Sequence, residues 1–86
     1  MYNKKYRFEK IEQFHRYNPI YEDMEGRVCY PAYLNEGERG WILYEKEDEW
    51  DRTPHRLHLS VIKSVEYFDG LIIITTENTR LTLWEI

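Results

Sequence analysis

Beyond residue 56 the apolar positions fall into three β-type runs, at 57–68, 71–76 and 80–86, parted by Asp69-Gly70 and by Glu77-Asn78-Thr79. Asp-Gly between apolar runs predicts a tight hairpin, because both residue types tolerate the positive φ that such turns need. The middle run opens with Leu71-Ile72-Ile73-Ile74. Neighbouring side chains of a strand point to opposite faces, so Leu71 and Ile73 face one way and Ile72 and Ile74 the other. The last run repeats this, with Leu81 and Leu83 on one side and Trp84 and Ile86 on the other. Each Leu or Ile left in water forfeits roughly 1.5–3 kcal/mol. The expectation is therefore a ribbon covered on both faces. One face lines a barrel, and the other meets a helix of the same chain or a second copy of it. Within 57–68 the alternation of Leu57, Leu59 and Val61 slips at Ile62 and resumes as Val65 and Tyr67. That slip predicts a bulge or a single helical turn around 60–64.

Two more strands are predicted upstream. In 27–34, Val28, Tyr30, Ala32 and Leu34 share a face opposite Cys29 and Tyr33, and Pro31 requires an edge strand or a bulge. A loop with two glycines leads to 41–47, where Trp41 and Leu43 oppose Ile42 and Tyr44. Residues 4–17 read as an amphipathic helix: Ile11, Phe14 and Tyr17 recur at helical spacing beside Tyr6 and Phe8. Lys5–Glu9 and Glu12–Arg16 are i,i+4 pairs, Asn3 is a capping residue, and Asn18-Pro19 ends the segment. The fold class expected is α+β, mostly β. A single domain over residues 1–86 would hold an N-terminal helix at 4–17 and a five-stranded antiparallel small barrel or curled sheet over 27–86, SH3-like or OB-like.

Length and charge narrow the functional classes. Eighty-six residues lie near the lower limit for one unstapled core. The single cysteine, Cys29, allows no internal disulfide and points to a reducing, cytoplasmic setting. No apolar run approaches the roughly eighteen residues of a membrane span, and no apolar stretch follows the basic N-terminus as a secretory signal would require. Net charge is −4, with residues 1–16 at +3 and residues 36–51 at −5. Such a balance disfavours a general nucleic-acid binder, whose affinity rests on cations meeting phosphates. Aromatic content is high, 16%, with eight Tyr and three Trp, residues suited to interfaces as well as to a small core.

The chemistry-bearing residues are sparse. His55 and His58 fall on opposite faces of a strand; with His15 and Cys29 they do not make a convincing zinc set, and no metal or cofactor is expected. Cys29, Ser60 and Ser64 lack a nucleophile elbow or a Cys-His signature, and an acid–base hydrolase using His55 and His58 is the weakest of the functional readings. Glu45, Glu47, Asp48, Glu49 and Asp51 surround Trp50, an anchor residue inside an acidic loop. The first functional expectation follows: a non-catalytic binding protein that docks this loop on a basic protein surface. Short, acidic, aromatic-rich chains of this style suit phage or mobile-element accessory proteins that inhibit nucleic-acid-handling defence proteins. The alternative is an oligomer sequestering a small nucleotide-like ligand. Arg27, Tyr30, Tyr44, Arg56, His58, Tyr67 and Arg80 are its candidate contacts, with Trp41 and Tyr33 alongside.

Overall fold

A computed structural model describes residues 4–45 and 55–86. Six strands, β1 (Tyr6–Gln13), β2 (Val28–Tyr33), β3 (Arg39–Tyr44), β4 (His55–Phe68), β5 (Leu71–Thr76) and β6 (Thr79–Glu85), form a closed antiparallel barrel in sequence order. The terminal meander follows the predicted runs closely. At its first turn Gly70 takes the left-handed conformation (φ 74°), which lets Phe68 pair with Leu71 across two residues.

The segment expected to be a helix is instead β1, the strand that closes the barrel. It pairs with β2 through Tyr6↔Cys29 and with β6 from Tyr6↔Glu85 to Gln13↔Thr79. A register shift between Phe8 and Lys10 explains the misleading spacing. An extra residue in a strand turns an i,i+2 alternation into i,i+3, so Phe8 and Ile11 imitate one face of a helix. The bulge leaves backbone groups for other partners: Phe8 donates to the Arg27 carbonyl, Gly26 donates to the Phe8 carbonyl, and Ile11 donates to the Glu25 carboxylate. With β1 counted, the barrel has six strands rather than five, and the only helical turn among the described residues is the 3-10 turn Pro19–Tyr21.

Bulges also appear where the sequence asked for them. β2 shifts register between Pro31 and Tyr33, which accommodates the proline, and β4 shifts between Ile62 and Ser64. The second shift divides β4: residues 55–61 pair with β3 and residues 62–68 pair with β5. One long strand thereby bends around the barrel instead of lying flat.

Phe8, Cys29, Ile42, Leu57, Leu59, Ile62, Ile72, Ile74, Leu81 and Leu83 fill the interior, joined by Tyr21 and Met24 from the connection between β1 and β2. In the closing ribbon Ile72↔Leu83 and Ile74↔Leu81 point inward. The opposite face carries Leu71↔Trp84 and Ile73↔Thr82, with Trp84 49% and Ile86 55% exposed. The barrel thus covers one apolar face as expected, but no helix among the described residues lies over the other, because the segment expected to supply it is spent closing the sheet. The two faces predict opposite outcomes. Leu83→Ala should cost about 2–5 kcal/mol in urea unfolding and Trp84→Ala under about 1 kcal/mol. Similar losses for both would mean that Trp84 is covered in solution.

Candidate functional site

The closure of β1 on β6 brings the end of β1 beside the starts of β3 and β6 and the middle of β4. A polar cleft of about 350 Å³ lies there. One wall is the short connection after β1. Gln13 fastens its ends: Asn18 N–H donates to the Gln13 side-chain oxygen (2.7 Å), and the Gln13 amide donates to the Asn18 carbonyl (3.4 Å). Asn18 also caps the following turn, its Oδ1 accepting from Ile20 N–H (3.1 Å), while Pro19 supplies the φ that a first helical position needs. Phe14 N–H donates to the Asn78 carbonyl (2.8 Å), tying the connection to the β5–β6 turn. Arg16 and Tyr17 are therefore presented from a short loop anchored at several backbone positions.

The facing wall comes from β3 and β4. Arg39 projects at the β3 start, its Nε donating to the Leu59 carbonyl (3.2 Å), which fixes the guanidinium plane and leaves its outer nitrogens available. His58 and Ser60 are two apart on β4 and exposed, so both open toward the same space. Thr79 of the β5–β6 turn completes the lining, held by its buried partner Thr76. Thr76 and Thr79 hydroxyls meet at 2.9 Å, and Asn78 and Thr79 N–H groups both donate to Thr76 Oγ1. Burial pushes the Tyr21 phenol above the ordinary range, the neighbouring Thr79 acting in the opposite direction. Tyr17 donates to the Glu22 carboxylate, and that bond, ahead of any other cause, raises its pKa, so the hydroxyl stays protonated across the neutral range.

The cleft is cationic. Arg16 and Arg39 line it with His58, and none of its described lining residues is a carboxylate. Among the described residues neither Arg16 nor His58 forms an ion pair. The sequence pattern concealed Arg16 by pairing it with Glu12 at helical spacing. In the strand Glu12 meets Lys10 (3.5 Å) and Arg80 (3.8 Å) instead.

The other sequence candidates disperse. Of the expected contacts only His58 reaches the cleft. Arg27 donates from Nε to the Asp23 carbonyl and from Nη1 to the Glu45 carbonyl. Tyr30 donates to the Glu45 carboxylate (2.9 Å), and burial, ahead of that bond, raises its pKa. Tyr44 is buried against His55, ring centroids 5.6 Å apart. Arg56 lies over Trp41, whose other neighbour is the stacked ring of Tyr33. Arg80 sits over Phe14, and Tyr67 stands 65% exposed at the other end of the ribbon. Among the described residues the five aromatics Tyr30, Tyr33, Trp41, Tyr44 and Tyr67 do not share one surface, Tyr44 being buried and Tyr67 well exposed. Of the acidic loop, Glu45 is half-buried and already engaged, while Glu47, Asp48, Glu49, Trp50 and Asp51 lie outside the described residues. No group of three or more His, Cys, Asp or Glu is placed to hold a metal among the described residues, and none of the helices there is long and apolar enough to cross a membrane. The chain matches no known family model, no curated protein and no solved structure.

Proposed function

We propose that this barrel is a non-catalytic binding protein whose cationic end cleft takes a small phosphate-bearing, nucleotide-like ligand. One observation carries the reading: in a chain of net charge −4, Arg16, Arg39 and His58 converge on one cleft, and none of the described residues that line it is a carboxylate. Arginine offers a planar fork of donors matched to phosphate oxygens, and a fork whose orientation is set beforehand loses little entropy on binding. Arg39 is held in that way by the Leu59 carbonyl. Ser60, Gln13 and Asn78 add neutral donors around it, and the Tyr17 ring supplies an aromatic face for a base. Binding rather than turnover is favoured because Ser60 has no hydrogen bond to His58 among the described residues, and no carboxylate in the cleft orients the imidazole as a base.

Titration calorimetry with 5′-AMP and with adenosine tests this. AMP is expected to bind and adenosine to bind far more weakly. Arg39→Ala should lower AMP affinity about 10–100-fold, the worth of a charge-assisted hydrogen bond. Equal affinity for AMP and adenosine, or an unchanged affinity in a folded Arg39→Ala variant, overturns the assignment.

A further inference from the structure

A second hollow of about 380 Å³ adjoins the first, sharing Arg39, Ser60 and Asn78 with it and adding Val61, Lys63 and Glu77. The two are lobes of one groove that follows the outside of β4 from His58 to Lys63, roughly 15 Å at the usual rise of a strand. Arg39 lines both lobes, and its Nε is tethered to the Leu59 carbonyl between them. The groove therefore has three cationic stations: Arg16 at one end, Arg39 in the middle and Lys63 at the other end.

Resting on the reading above, we infer that the groove is built for a dinucleotide, with phosphates on the Arg16–Arg39 and Arg39–Lys63 sides and an amine-bearing base in the second lobe. The composition of that lobe differs from the first in a way a bare anion would not use. Val61 is half-exposed, an apolar floor for a flat ring. Glu77 provides the lobe's carboxylate, which repels phosphate but accepts a hydrogen bond from an exocyclic amine or a ribose hydroxyl. Lys63 lies two residues after Val61 with the buried Ile62 between them, so ordinary strand alternation puts both on the outer face and supplies the third station. A longer polyanion is disfavoured by the chain's overall negative charge, since phosphates beyond the groove meet net repulsion.

The test compares 5′-AMP, the diadenylate pApA with its two phosphates, and an eight-residue oligoadenylate, by calorimetry at fixed salt. The expected result is that pApA binds at least ten-fold more tightly than AMP, and that the octamer gains nothing further per binding site. Lys63→Ala should erase the advantage of pApA while leaving AMP binding unchanged, and Glu77→Ala should weaken pApA against its diuridylate counterpart. If AMP and pApA bind equally, the dinucleotide inference fails while the cleft assignment stands. If affinity climbs steadily to the octamer, the partner is a single strand and the inference is overturned. If neither AMP nor pApA binds, the cleft assignment itself falls.

Discussion

Gly40→Ala is expected to cost about 3 kcal/mol or more, enough to remove much of the stability of a domain this small. A Cβ built on Gly40 would collide with the Tyr33 carbonyl oxygen and stand 2.6 Å from Ile62 Cδ1. Neither neighbour yields easily. The first is backbone at the β2 bulge, where register shifts between Pro31 and Tyr33, and the second is a fully buried core side chain. The β3–β4 pairing slips at the same place, between Arg39 and Trp41, so the pairing is irregular on both sides of this residue. Gly40 is thus needed for space and not for a left-handed φ, unlike Gly26, Gly37 and Gly70, whose added Cβ atoms would meet nothing. Alanine at those three sites should cost only about 1–2 kcal/mol, through backbone strain. Urea unfolding followed by tryptophan fluorescence checks the contrast, and an effect below 1 kcal/mol at Gly40 would show that the Tyr33 carbonyl is not packed as described. Because Arg39 precedes Gly40, this close approach also determines where the central cation of the groove stands.

What could be read from the letters depended on how local the cause was. The meander at 71–86, the proline bulge and the slip in β4 all leave a signature within a few residues, and each was visible as a break in alternation. The β1 bulge also left a local signature, but the wrong one. Phe8, Ile11 and Phe14 are spaced as a helix would space them, and i,i+4 charge pairs agreed with that reading. Only pairing with β6, seventy residues away in the chain, decides for a strand. The cleft was illegible for a related reason. Arg16, Arg39, His58 and Asn78 lie on four separate segments, and no spacing in the sequence relates them until the barrel closes. Candidates that share a residue type, such as the tyrosines, turned out to be scattered because the barrel sends alternate positions to opposite sides. Chemical likeness was a poorer guide to proximity than register.

Cys29 should react with iodoacetamide roughly a thousand-fold more slowly in the folded protein than in urea, on ionisation alone, at a pH near 8. The thiol is wholly buried in the core, and that burial pushes its pKa from 9.0 up to about 12. Reactivity follows the thiolate, and three units of pKa remove about three powers of ten of it. The same displacement makes stability fall with alkali. A pKa raised by folding means that the native state holds the proton more tightly. The stabilisation is therefore complete below the unfolded value near 9.0 and is lost as pH climbs toward about 12. Between pH 8 and pH 10 the wild-type chain should lose about 1.4 kcal/mol more than Cys29→Ala does, each measured against its own value at pH 8. Tyr21, also raised by burial, contributes equally to both chains and cancels in the comparison. Labelling at the urea rate under native conditions, or parallel alkaline curves for the two proteins, would place the thiol in contact with solvent. The expected inertness bears directly on function: a thiol facing the barrel interior between β1 and β3, paired with Tyr6 and Tyr44, takes no part in covalent chemistry at the surface. On the reading proposed above, recognition falls to the groove outside.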